Sequence, residues 1–251
     1  MNASVVLTPP MSKRLIAKGV AALPVVQSAM KDGRIVVTLG TTNAFVAEEL
    51  LGRSIDRGAF AAGFIDCTWN VNRRLGEAGE VVLHSGKPVD TGASDILSSL
   101  AAGDVVIKGG NALDPWGTVG VLMAAATGGT VGRYVAPALA RGADIVIPIS
   151  IAKSVHTRIA ELPRRMGVGR LALHSGLPCG MYPLHGRVVS EVEALELLFA
   201  VCVTHVASGG VGSGAGSVSL VLEGEDDAVR DAYALIETLR DELPTELTGR
   251  A

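Results

Sequence analysis

Apolar residues recur along positions 12–30 at the spacing of one helix face: Leu15, Ile16, Val20, Leu23, Val26 and Met30. The stripe predicts an amphipathic helix that Pro24 kinks or restarts. After Asp32-Gly33 the pattern becomes one continuous run, Ile35-Val-Val-Thr-Leu39, ending at Gly40. A strand buried on both faces reads this way, whereas a half-buried strand alternates. Helical spacing returns over 44–51 and stops at Gly52. Residues 53–79 are irregular apart from a short strand over 63–66. Further short apolar runs predict strands at Val81–His84, 104–108 and Asp144–Pro148, with helices over 93–101, 117–126, 131–140 and 154–162. Strands alternating with helices over 12–165 predict an α/β fold, a Rossmann-like mostly parallel sheet with helices on both faces.

The pattern changes past residue 173. Positions 174–186 are dense in Gly and Pro and read as a connector. A strand over 187–189 follows, then Ser190 with Glu193 as a capping box opening a helix over 191–200. Strands over 202–207 and 217–222, joined by the Gly-rich segment 208–217, and an amphipathic helix over 225–239 complete the order. It predicts a small ferredoxin-like α+β domain over 187–251 beside an α/β ligand-binding domain over 1–173. No helix directly follows Gly210-Val-Gly-Ser-Gly-Ala-Gly216, so that run reads as a hairpin rather than a dinucleotide loop.

Composition narrows the function classes. With 48% hydrophobic and 19% charged residues the chain affords a buried core rather than disorder. Its 31 glycines suit tight strand–helix corners, and 4% aromatics does not suit a base-stacking surface. A net charge of −3 without a Lys/Arg block argues against nucleic acid as a partner. Arg73-Arg74 and Arg164-Arg165 are isolated pairs, solvated or in contact with an anion. Cys67, Cys179 and Cys202 fit neither a disulfide framework nor a zinc site, and are expected to be reduced thiols of a cytoplasmic protein. Cys67, beside Asp66, reads as an inert buried thiol. His84, His156, His174, His185 and His205 show no paired metal-ligand spacing, and His205 reads as a packed core residue. No metal and no cofactor are expected. The longest apolar run, over 119–126, is too short for a membrane span, and the N-terminus does not read as a signal peptide. So apolar a chain is expected to form a homo-oligomer.

Candidate chemistry gathers where the predicted strands end, the usual ligand position in such sheets. Gly40 permits a sharp turn, and Thr41, Thr42 and Asn43 are placed to cap the next helix. A helix start has unpaired N–H groups and partial positive charge, which suit a phosphate or carboxylate. An ordinary strand–turn–helix corner has the same pattern. The second corner is Lys108-Gly109-Gly110-Asn111, with Asp114 close behind. An ammonium here pairs with a phosphate or stabilises an enolate, and the glycines let a ligand approach the backbone. The alternative is a solvated Lys108 with Asp114 as a simple cap. Lys153, with His156, stands past the third strand. Two cations and a helix start imply a small anionic metabolite as ligand.

Residues 12–52, with Gly40-Thr-Thr-Asn43 at the strand end, resemble the opening of type A ribose-5-phosphate isomerases, where a Gly-Thr-Gly-Ser-Thr loop binds the sugar phosphate. Ile107-Lys-Gly-Gly-Asn-Ala-Leu113 resembles that family's Ile-Lys-Gly-Gly-Gly-Ala-Ala segment, and is similar to the Gly-Ala-Asp corner of methylthioribose-phosphate isomerases. The wider superfamily holds glucosamine-phosphate deaminases and CoA transferases. The resemblance implies that Lys108 is the active-site lysine and Lys153 a substrate contact. It also implies a small α/β domain near the C-terminus. The family's catalytic glutamate falls at Trp116 and Gly117, leaving Asp114 as base with Lys108 stabilising the enolate. The family's Asp-Gly-Ala-Asp-Glu segment is matched only by a displaced Asp90-Thr-Gly-Ala-Ser-Asp95. The implied activity is that of a sugar-phosphate isomerase-like or CoA-ester-processing enzyme. The transferase form needs a glutamate nucleophile, Glu77 or Glu80. A chain that keeps the corners and loses the base would be a non-catalytic sensor of a phosphorylated metabolite.

Overall fold

The computed structural model describes residues 1–65, 78–90 and 93–247. Asp66, Cys67, Arg73-Arg74, Glu77 and the Thr91-Gly92 step of the displaced motif lie outside the described residues. The chain opens with β1 (Asn2–Leu7), α1 (Pro9–Ala22), α2 (Pro24–Asp32), β2 (Arg34–Val37), α3 (Thr41–Leu51) and α4 (Arg57–Phe60). Next come β3 (Val81–His84), β4 (Lys87–Pro88), α5 (Ala93–Ser99), β5 (Val105–Ile107), β6 (Ala112–Leu113) and β7 (Val119–Met123). A helical stretch, Val131–Val135, runs straight into α6 (Ala136–Ala140), and β8 (Asp144–Pro148) follows. The rest comprises β9 (Gly180–Leu184), β10 (Arg187–Val189), α7 (Glu191–Leu198), β11 (Val201–Gly209), β12 (Ser217–Gly224) and α8 (Asp226–Thr238).

Among the described residues the centre is a mixed six-stranded sheet ordered β10-β8-β5-β2-β3-β4. Its first four strands run parallel; β3 pairs antiparallel with β2, and β4 antiparallel with β3. Continuous apolar runs are explained by burial on both faces. Ile35, Val37, Val105, Ile107 and Val146 pack with α1 and α3, while Val36, Val106, Ile145 and Ile147 pack with α5 and the helix over 131–140. Because β2, β5 and β8 are parallel neighbours, their carboxyl ends open side by side.

Several expectations are corrected. Residues 117–126 are not a helix: Val119–Met123 is a strand paired with Gly180–Leu184, so the expected connector over 174–186 is part of a three-stranded sheet, β6-β7-β9. Its partner lies some sixty residues downstream, beyond the reach of any local pattern. Over 154–162 no α-helix forms; short 3₁₀ turns occupy Ile151–Lys153 and Ile159–Arg164. The region 187–251 divides between sheets rather than standing alone. β10 joins the large sheet beside β8, and the β11–β12 hairpin pairs through β12 with β1. β1 itself was not foreseen, because its alternation is short and its partner is at the other end of the chain. The Ser190–Glu193 capping box forms as expected, and α8 buries Val229, Ala232 and Ile236 at helical spacing. His205 is exposed rather than packed in the core.

Candidate functional site

Beyond β2 the chain turns through Thr38, Leu39 and Gly40 into α3. Gly40, the residue before the helix, has φ +157° and ψ 154°, a combination that L side chains rarely adopt. The expectation that Thr41, Thr42 and Asn43 cap the helix is corrected: all three are its first residues, and no side-chain cap is made. Among the described residues no acceptor meets the backbone N–H groups of Thr41, Thr42 and Asn43. These donors, with the dipole behind them, remain available to an anion.

Asn43 has a different task. Its buried amide nitrogen donates to the Thr38 carbonyl at 2.8 Å and to Thr38 Oγ1 at 3.2 Å, and approaches the Ile107 carbonyl at 3.4 Å. Thr38 Oγ1 in turn donates to the Ile107 carbonyl at 3.0 Å. With acceptors on that side, the amide cannot be flipped without setting oxygen against oxygen. Asn43 Oδ1 is therefore fixed opposite, buried and without a hydrogen-bond partner among the described residues.

At the end of β5, Lys108 is 7% exposed and its Nζ donates to the Gly109 carbonyl at 2.9 Å. From the 3₁₀ turn after β8, Lys153 Nζ donates to the next carbonyl, Gly110, at 2.7 Å. Two ammonium groups are thus held on consecutive carbonyls of one turn. Gly110 has no room for a side chain, since a Cβ would lie 2.1 Å from Val119 Cγ1. Burial, and then the charge of Lys153, lower the pKa of Lys108 to about 8. Burial, then Lys13, also lower that of Lys153 to about 8, against an opposing pull from Glu191. Lys13, on the polar side of α1, escaped sequence reasoning because nothing local marks it as near Lys153.

Gly40, Thr41, Thr42 and Asn43 line one side of a chamber of about 40 Å³; Lys108, Gly109, Gly110, Asn111 and Lys153 line the other. Such a volume has room for roughly three waters or one small oxyanion. Lys108 and Asn111 also line an adjoining cleft of about 380 Å³, walled by Val121, Met123, Glu80 and Arg133. Glu80 is ion-paired with Arg133 at 3.1 Å. Asn111 is structural as well: its amide donates to the Gly63 carbonyl at 2.6 Å and its Oδ1 accepts from Leu122 N–H at 3.0 Å.

Asp114 does not join this group. It is absent from both cavity walls, and its buried carboxylate accepts N–H bonds from Trp116 at 3.0 Å, Thr118 at 2.9 Å and Ile159 at 3.0 Å. Burial pushes its pKa up, but these bonds outweigh it and hold the carboxyl below the usual range. A carboxylate stabilised as the anion and spent on three donors is a poor proton acceptor. The structure places Asp114 on backbone donors at the β6–β7 turn rather than on the chamber wall. His156 is likewise absent from both walls. Among the described residues no group of three or more His, Cys, Asp or Glu side chains is placed to hold a metal.

No family model matches this chain, and no curated protein matches it. Among solved structures, it is similar to a crystal structure of eIF2B delta from Chaetomium thermophilum, with 15% identity and a TM-score of 0.38. The match covers 74% of this chain and 58% of that one, a likeness too slight to assign a fold or a function. No helix among the described residues is long and apolar enough to cross a membrane.

Proposed function

We propose that this protein binds a small phosphorylated metabolite, with the anionic group in the chamber and the remainder in the cleft, as in a sugar-phosphate isomerase-like enzyme. The observation that carries this reading is convergence: the open N–H groups of α3, Lys108 and Lys153 meet at one chamber whose described walls hold no carboxylate. Three donor sets without an acid among them are complementary to an oxyanion. A sugar-phosphate-like ligand is favoured over a CoA ester, whose processing would draw on Glu80, already paired with Arg133. The resemblance of residues 32–52 and 107–113 to ribose-5-phosphate isomerases points the same way. A non-catalytic sensor of a phosphorylated metabolite is the second reading, favoured by the commitment of Asp114 to backbone donors.

Thermal unfolding with inorganic phosphate, propyl phosphate and glycerol 3-phosphate tests the site. Each phosphate is expected to stabilise, and a ligand at 100 times its Kd adds about 2.7 kcal/mol. Lys153→Met should remove the effect. No stabilisation by any of the three would overturn the reading.

A further inference from the structure

With Asp114 committed elsewhere, the chamber holds no described carboxylate to move protons, yet it holds two amines. Lys108 stands at the junction of chamber and cleft and lines both. A group in the cleft can therefore reach its Nζ while an anion occupies the chamber. Lys108 has no ion-pair partner among the described residues; its Nζ donates to a neutral carbonyl. Its nearest charged influence is another cation, Lys153, anchored one carbonyl further along the same turn. A desolvated lysine beside a second cation, without a counter-ion, is the arrangement that turns an ammonium into a nucleophilic amine.

We propose that Lys108 is an imine-forming nucleophile toward phosphorylated aldehydes or ketones, and that Lys153 is its proton shuttle. This rests on the chamber binding the phosphate, as above. The Lys108 amine attacks the carbonyl carbon; a C–N bond forms and the C=O π pair moves to oxygen, which takes a proton from the Lys153 ammonium. The attacking nitrogen returns a proton to Lys153, leaving a neutral carbinolamine. Its C–O bond then breaks as the nitrogen lone pair forms C=N, and the departing hydroxide takes the Lys153 proton to leave as water. The sum is amine, carbonyl and one proton giving iminium and water, with no redox change. The iminium draws electrons from the adjacent C–H bond, and neutral Lys153 is the base at hand to remove that proton. The pKa of each lysine, about 8, is in keeping with this exchange near neutral pH.

Reductive trapping tests the proposal on the full chain. The protein is incubated at pH 7.5 with glycolaldehyde phosphate and sodium cyanoborohydride, then measured by intact mass and peptide mapping. The chain has six lysines, Lys13, Lys18, Lys31, Lys87, Lys108 and Lys153, so a site-specific adduct is easily resolved. The expected result is one adduct per chain at Lys108, reduced at least tenfold by excess inorganic phosphate or by omitting the phosphate from the aldehyde. Lys108→Gln should lose it; phosphate competition in the wild type serves if that variant does not fold. Lys153→Met, which removes the phosphate effect, should cut trapping at Lys108 at least tenfold, to the level reached with the aldehyde that lacks phosphate. No adduct, or slow labelling spread over several lysines and indifferent to phosphate, would overturn the proposal. If phosphate stabilises the protein but no adduct forms, the imine fails and the binding site stands. If phosphate does not stabilise it, the binding reading fails first.

Discussion

Lys108 and Lys153 are strong bases by residue type and weaker ones by position. Burial disfavours the charged form, and each has another cation nearby. The consequence for stability has a definite sign. An unfolded lysine titrates near 10.5, whereas these titrate at about 8 in the fold. Below pH 8 both states are protonated and the fold bears the full cost of the buried charges. Between about 8 and 10.5 the unfolded state binds more protons, so stability from these groups rises with pH. Comparing Lys108→Met with wild type by urea unfolding from pH 6 to 10 should show a variant advantage that shrinks through that window. A constant difference would show that Lys108 titrates normally. Asn43 makes a complementary point. Its place at a strand–helix corner was legible in the chain, but the direction of its oxygen depends on Thr38 and Ile107.

At the scale of elements, the Gly-Gly turn after β5 depends on a support outside the chamber. Asp114 gathers the N–H groups of Trp116 and Thr118 at the β6–β7 turn and that of Ile159 at the start of a 3₁₀ segment. It thereby ties residues 112–120 to the segment after β8 that carries Lys153. Hydrogen bonds to a charged group contribute about 1.5–3 kcal/mol. Asp114→Ala is therefore expected to destabilise by about 3 kcal/mol in denaturant unfolding while leaving phosphate affinity within about threefold. A loss of affinity far beyond the loss of stability would return Asp114 to the site. Its depressed pKa adds a pH signature: the contribution is present above the unfolded carboxylate pKa and is lost as pH falls through the lower folded value. The misread strand at Val119–Met123 belongs to this scale too. Val-Gly-Val-Leu-Met has no period that separates a buried strand from a short helix, and only Gly180–Leu184 decides the matter.

Across the whole molecule, the first and last segments hold one another. β1 pairs with β12 along its length, and one apolar core runs from Leu7 and Leu15 through Phe45 to Leu220 and Ile236. Arg14 and Arg57 link Glu48 of α3 to Glu242 past the end of α8, with distances of 2.5–3.0 Å. A chain ended after residue 186 would leave β1 unpaired and strip α7 from α1. We expect such a truncation to lack a cooperative unfolding transition in calorimetry, and the full chain to show one. A truncation that unfolds cooperatively would demonstrate an independent N-terminal unit.

The strands β2, β5 and β8, the helices α1 and α2, the capping box and the corners at Gly40, Lys108 and Lys153 were all readable from the chain. Each rests on local periodicity or on backbone chemistry carried by a few consecutive residues. What only the tertiary structure decided was pairing and direction. It set β1 against β12 and β7 against β9, fixed the Asn43 amide on Thr38 and Ile107, spent Asp114 on backbone donors and brought two lysines onto adjacent carbonyls. These depend on contacts between residues far apart in the chain. No local pattern encodes which distant group will satisfy a buried polar atom.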